Sequence, residues 1–292
     1  MLIDGAGAIA PVLRVQGEDM SQLGSLIHIA DDEDGEIHVY QDDRHRYLTF
    51  GNQVEQSCMD LANPARLVHV YTQAMMLALL FGTEPRDALL LGVGGGSLAR
   101  ALRRVRPGMR ITGVDAREAV IDTARSHFEL PTDKNLRVVR QDAREFLGQR
   151  SRGYDLIFAD LYRADGVHPD QGDEGFLRLV RSHLSPVGIL VTNQWASEYA
   201  PTHDASLKLD GAFDGQVIRL HVQGGNIVSF AFNGELPDLQ RNDFFERARS
   251  AGAKLDIPLE RQARNLWRQN AETLGVGRFR NRTRRDSPGG GR

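Results

Sequence analysis

The chain has 292 residues, with 36 Lys+Arg against 39 Asp+Glu and a formal charge of −3. That balance excludes a protein whose main work is gripping nucleic-acid phosphates, which needs a strongly basic surface, and a single cysteine, Cys58, excludes an internal disulfide framework. No apolar run approaches the roughly 20 residues that span a bilayer. The N-terminus lacks the basic-then-apolar pattern of a secretory leader. A cytoplasmic protein that engages neither nucleic acid nor membrane is expected.

Residues 1–24 are mixed and Gly-rich and are expected to be flexible. From Ser25 to Ser57, SLIHIA, EIHVYQD and RYLTFG alternate apolar and polar residues between the turn-forming clusters DDEDG and DDRHR. This period of two predicts β-hairpins and a small β-rich N-terminal domain over 25–62. From Asn63 to Phe81, Leu67, Val70, Tyr71, Ala74, Met75, Ala78 and Leu79 recur at helical spacing, with Pro64 near the start, and predict a helix. Beyond it the chain alternates. ALLLGVG, MRITGVDA, NLRVVRQDA, YDLIFADL and GILVTNQW read as strands. SLARALRRV, REAVIDTARSHFEL, AREFLGQR and GFLRLVRSHLSP read as helices. The rhythm predicts a parallel sheet with helices on both faces. QVIRLHVQGGNIVSFAFNG adds a hairpin turning at Gly224-Gly225-Asn226. The α/β unit is expected over 63–245, a helical segment over 246–277, and a disordered basic tail over 278–292. Arg100, Arg103, Arg104 and Arg106 read as a solvated basic helix face. The nine histidines show no ligand spacing, so no metal is expected.

The residues that carry chemistry fall at strand ends. Gly92-Val93-Gly94-Gly95-Gly96 follows an apolar strand and opens a helix. Glycine permits close backbone approach to a ligand, and a helix N-terminus offers free N–H donors. No Gly-Lys-Ser/Thr follows, so the segment is not a P-loop. Asp115 closes the next strand, where a carboxylate accepts from ribose hydroxyls or instead caps the following helix. Asp142 closes the third strand, placed either for the exocyclic amine of adenine or as another N-cap. Asp160 closes the fourth and is placed to hold or deprotonate an attacking amine, or to serve as a cap. Ligands of doubly wound sheets bind at this rim. The polar stretch 161–175 is placed to cover it.

Taken in order, LLLGVGGGSLARAL, ITGVDAREAVIDTAR, RVVRQDAREFL and YDLIFADL resemble spermidine synthases, the polyamine aminopropyltransferases. The resemblance covers roughly residues 30 to 235 and extends upstream, where a β-rich unit ends in Phe50-Gly51-Asn52-Gln53-Val54-Glu55-Gln56-Ser57 before a helix with Tyr71, Gln73 and Met75. It implies an α/β fold: a doubly wound, seven-stranded, Rossmann-like sheet of the S-adenosylmethionine-dependent methyltransferase type, with a small N-terminal β-hairpin domain. It implies a homodimer and a donor nucleotide, decarboxylated S-adenosylmethionine or S-adenosylmethionine itself, beside an amine acceptor. Gly92, Gly94 and Gly95 would line the donor, Asp115 with Ala116 would hold the ribose, and Asp142 with Ala143 would face the adenine. Gln56 stands where the family has a donor-contacting glutamine, and Asp160 matches its catalytic aspartate. Tyr71, Gln73, Tyr162 and Asp165 would face the acceptor.

Three departures accompany the likeness. The family's Asp-Ser-Ser/Thr-Asp-Pro reads Asp160-Leu161-Tyr162-Arg163-Ala164 here, with Asp165 one step beyond. Tyr71-Thr72-Gln73-Ala74 lacks the glutamate of the usual Tyr-His/Gln-Glu. Gly96-Ser97 stands where the family's glycine segment carries an acid. A polyamine pocket needs carboxylates to balance buried ammonium groups. A methyltransferase using S-adenosylmethionine, and a nucleotide-binding homologue without catalysis, therefore stand beside aminopropyl transfer as readings. An NAD-dependent oxidoreductase shares the glycine turn and Asp115 but fits the terminal hairpin and N-terminal β-unit poorly.

Overall fold

Two main sheets form in the computed structural model, which describes residues 23–51, 54–82, 84–149, 153–163, 166–167, 169–195 and 202–274. The first sheet is antiparallel, with β1 (Ser25–Asp32), β2 (Gly35–Gln41), β3 (His45–Thr49) and β4 (Glu55–Asp60) in that order. Its inward residues Ile37, Val39, Leu48 and Met59 pack on Val120 and Phe128 of the neighbouring α/β layer.

The second sheet holds β5 (Asp87–Leu91), β6 (Arg110–Asp115), β7 (Leu136–Arg140), β8 (Tyr154–Ala159), β11 (Leu184–Trp195), β12 (Val217–His221) and β13 (Asn226–Phe232), ordered β12-β13-β11-β8-β5-β6-β7. β7, β6, β5, β8 and β11 run parallel, and β13 and β12 close the edge antiparallel. The inner strands β5, β6, β8, β11 and β13 are largely buried on both faces, whereas β7 and β12 are only partly buried. Leu90, Phe158 and Val191 enter one core, and Leu89, Leu91, Ile157 and Leu190 the other. Successive side chains of a strand point to opposite faces, so both layers need apolar residues and the strands read as continuous apolar runs. Gly224 and Gly225, both at positive φ, make the tight β12–β13 turn.

Helices α2 (Ser97–Val105), α3 (Glu118–His127), α4 (Ala143–Leu147), α5 (Glu174–Ser182) and α6 (Thr202–Ala212) accompany the strands. α6 lies between GILVTNQW and the hairpin, where no helix was expected. The C-terminal helices begin earlier than the 246 boundary: α7 (Arg241–Leu255) precedes α8 (Leu259–Gln269) and α9 (Ala271–Leu274). Phe244, Phe245, Ala248 and Leu255 of α7 enter the first core.

The helix read over Asn63–Phe81 is much shorter: α1 spans Val70–Met75, and a 3₁₀ turn continues it over Met76–Leu80. Asp60 holds the stretch before it in a turn by accepting from the N–H groups of Ala62 and Asn63, while Leu67 bridges Met59. These local bonds compete with helix formation. Among the described residues no helix is long and apolar enough to cross a membrane.

Candidate nucleotide and acceptor site

The carboxyl ends of β5, β6, β7 and β8 open into a cavity of about 780 Å³, a size ordinary for a small-molecule site. Gly92 leaves β5 at φ +89°, and a Cβ there would stand 2.5 Å from the carbonyl oxygen of Asp160. Only glycine allows strands β5 and β8 to approach at this point. The turn then folds back on Asp115. The Asp115 carboxylate accepts from the N–H groups of Val93 at 2.9 Å and Gly94 at 3.4 Å through Oδ2, and from Arg117 at 3.1 Å through Oδ1. Burial raises its pKa, and these backbone donors oppose the shift.

Asp142 caps α4, accepting from Arg144 and Glu145 at 2.8 and 3.1 Å. Both bonds go to Oδ1, and the residue also lines the cavity beside Gln141 and Ala143. The two readings of Asp142, cap and ligand contact, therefore do not exclude each other. The roof over this end comes from the first sheet, through Asp34, Phe50 and Gln56. Arg117 latches that roof: its guanidinium reaches Asp32 at 2.7 Å and the Gly35 carbonyl at 2.6 Å, and lies 4.8 Å from the centre of the Phe50 ring.

The opposite end is built around Asp160. Tyr71 donates its hydroxyl to Oδ2 at 3.3 Å, and Asn193 Nδ2 donates to Oδ1 at 3.4 Å and to the Tyr162 oxygen at 2.8 Å. Burial pushes the Asp160 carboxyl up to about 6, against the Asn193 and Tyr71 hydrogen bonds and the nearby His69. Burial and the neighbouring Asp160 charge raise both tyrosines further above their ordinary range. His69 stacks on Tyr71 with ring centres 5.6 Å apart and approaches Glu55 at 3.1 Å. β9 (Tyr162–Arg163) pairs with β10 (Gly166–Val167), so the expected covering loop contains a short ribbon.

The comparisons bear on this geometry. A family model described as a methyltransferase domain matches residues 88–188. The polyamine aminopropyltransferase of Neisseria meningitidis serogroup A is 29% identical over 238 residues, covering 80% of this chain and 90% of the relative. Over most of its length the chain is thus similar to polyamine aminopropyltransferases. A probable spermidine synthase from Corynebacterium glutamicum shares its fold at a TM-score of 0.65 and 18% identity, over 79% of this chain and 87% of that one. A spermidine synthase solved with the transition-state analogue AdoDATO superposes at a TM-score of 0.61 and 16% identity, over 82% of each chain.

Of the residues singled out in the sequence, Gln56, Tyr71, Gly92, Gly94, Asp115, Ala116, Asp142, Ala143, Asp160 and Tyr162 converge on this cavity. Gly95 and Gln73 are not among its described lining. Gly95 turns its N–H to Ser57 Oγ at 2.9 Å, and the buried Gln73 donates to the Leu67 carbonyl at 2.9 Å. Asp165 lies outside the described residues. One residue of the basic face expected to be solvated is a correction: Arg104 is exposed, but Arg100 is buried, donating to the carbonyls of Pro64, Gly95 and Phe128, and its pKa falls to about 10 through desolvation. Arg103 pairs with Asp133 and Arg106 with Glu84. Only their backbone and carboxylate partners, remote in sequence, explain this, so spacing alone could not show it. Sequence reading also passed over Ser57, His69 and Asn193. Asn193 carried a usable signal, a polar residue near the carboxyl end of β11 on the same rim.

Proposed function

We propose that the chain is a transferase that binds a decarboxylated S-adenosylmethionine-type donor along the glycine turn and passes its aminopropyl group to an amine held at Asp160. One observation carries this reading: the charge of the cavity. Its described lining includes Asp34, Glu55, Asp115, Asp142 and Asp160, no lysine, and one arginine, Arg117, already committed to Asp32. Such a site suits a sulfonium nucleoside and an ammonium acceptor. A donor that kept its carboxylate would want a cationic partner, and none of the described lining residues offers an uncommitted arginine or lysine.

Gly92 and Gly94 bring backbone close to the donor, Asp115 faces its ribose, and Asp142 with Ala143 faces its adenine. The acceptor nitrogen attacks the carbon beside the sulfonium. As that C–N bond forms, the C–S bond breaks, and its electron pair leaves with methylthioadenosine. Asp160 takes the surplus proton from nitrogen. A carboxyl held near 6 is still ionised at neutral pH, yet it is a stronger base than an ordinary aspartate. Tyr71 and Asn193 fix its two oxygens, so that alignment supplies much of the acceleration.

Methyl transfer from S-adenosylmethionine is the second reading, favoured by the methyltransferase-domain match over 88–188 and by the absence of an acid within Gly92–Ser97. Calorimetric titration with decarboxylated S-adenosylmethionine, S-adenosylmethionine and methylthioadenosine separates the two. The proposal expects the decarboxylated donor to bind at least tenfold tighter than the carboxylated one. The reverse order would replace aminopropyl transfer with methyl transfer.

A further inference from the structure

The glycine turn is held from outside its own sheet. Ser57, on β4 of the first sheet, is buried and lines the cavity. Its Oγ accepts the Gly95 N–H at 2.9 Å. On the other side of the same residue, the Arg100 guanidinium donates to the Gly95 carbonyl at 2.5 Å. Both polar groups of Gly95 are thus fixed by side chains that lie 38 residues before it and 5 after it. The fit is close: a Cβ on Gly95 would come within 2.8 Å of Ser57 Cβ, and one on Gly94 within 3.0 Å of Ser57 Oγ. Ser97, the first residue of α2, approaches the Cys58 carbonyl of the same strand at 3.5 Å.

We infer that Ser57 is a donor-positioning residue, through which the N-terminal sheet sets the shape of the glycine turn and so the affinity for the nucleoside. This inference rests on the donor reading above. In the free turn, the N–H groups of Gly94 and Gly95 have several orientations open to them. With Gly95 anchored by Ser57 and Arg100, and the Val93 and Gly94 N–H groups anchored by Asp115, one orientation remains before the ligand arrives. Preorganisation of this kind lowers the ordering cost of binding. Ser57→Ala removes the acceptor and leaves the buried Gly95 N–H without a partner, which loosens the turn.

The test titrates methylthioadenosine into wild-type protein, Ser57→Ala, Ser57→Thr and Cys58→Ala, with melting temperatures measured in parallel. Cys58 is buried on the same strand but does not line the cavity, so its variant reports what loss of packing alone does. Ser57→Ala is expected to weaken methylthioadenosine about tenfold, equivalent to about 1.4 kcal/mol, and Ser57→Thr, which keeps the hydroxyl, to recover most of that loss. Cys58→Ala is expected to lower the melting temperature without moving the affinity. Equal affinity in wild type and Ser57→Ala overturns the positioning role and leaves the donor reading intact. So does an equal loss of affinity in Cys58→Ala, because the effect is then one of stability. Wild-type protein that does not bind methylthioadenosine overturns the donor reading, and the inference with it.

Discussion

The two ends of the cavity are made by different means. At the glycine-turn end, backbone does most of the work: the Gly92–Gly96 turn is pinned by Asp115, Ser57 and Arg100, and Asp142 is an N-cap first. At the Asp160 end, side chains do it: Asp160, Tyr71, Tyr162 and Asn193 form one hydrogen-bonded group with its carboxyl pushed up by burial. Backbone geometry constrains sequence tightly, to glycines where the chain turns at positive φ or approaches another strand closely. A side-chain cluster can be rebuilt one residue at a time, and it is here that Tyr162 and Arg163 depart from the family pattern. Under the proposed function, the glycine-turn end would hold the donor and the Asp160 end the acceptor.

If the halves are separable in this way, mutations should separate them. The largest effect is expected from Asp160→Asn, which removes the base while keeping the shape. Turnover should fall by about 10²–10⁴, with methylthioadenosine affinity changed less than about threefold. Loss of nucleoside binding in that variant would show that the halves are not separable. Gly92→Ala is the converse and comes next. Its Cβ meets the Asp160 carbonyl and its φ is unfavourable for alanine. Nucleoside affinity is expected to drop about tenfold or more, seen by calorimetry.

The pH dependence gives a smaller, sharper effect. Asp160 must be ionised to accept a proton, so kcat/KM is expected to rise with pH through about 6. Asn193→Leu removes an amide that favours the ionised form and should move that inflection upward. For stability the sign runs the other way. A carboxyl whose pKa is raised on folding favours the folded state at low pH and loses that contribution as pH rises through about 6. Asp160→Asn should therefore melt higher than wild type at pH 8 and close to it at pH 4. The smallest change is expected for Tyr162→Phe, which removes one hydrogen bond to Asn193 and should alter the acceptor KM by about fivefold, with the nucleoside constant unmoved.

Much of the cavity's rim was legible in the sequence. Gly92, Asp115, Asp142 and Asp160 sit at the ends of apolar strands, where topology alone brings them to one rim. The contacts that anchor the site were not legible, even where one partner, such as Tyr71, had been singled out. Ser57 meets Gly95 across 38 positions and Tyr71 meets Asp160 across 89, and no local period reports contacts that depend on how two sheets dock. Arg100 shows the same limit. On a helical wheel it is one of several arginines, and only the carbonyls of Pro64, Gly95 and Phe128 distinguish it. Helical spacing held only from Val70 onward and failed at Leu67, which bridges Met59 because the Asp60 turn keeps residues before Val70 out of the helix.

The central claim is that an acidic cavity holds a decarboxylated sulfonium donor beside an amine activated at Asp160. It is tested most directly by incubating the purified protein with decarboxylated S-adenosylmethionine and a set of primary amines, and following methylthioadenosine and the aminopropylated product by mass spectrometry. The account expects both to accumulate in equal amounts with wild-type protein and at least about a hundredfold more slowly with Asp160→Asn. A nucleoside that binds yet yields neither compound with any amine, or equal rates for the two proteins, would contradict it.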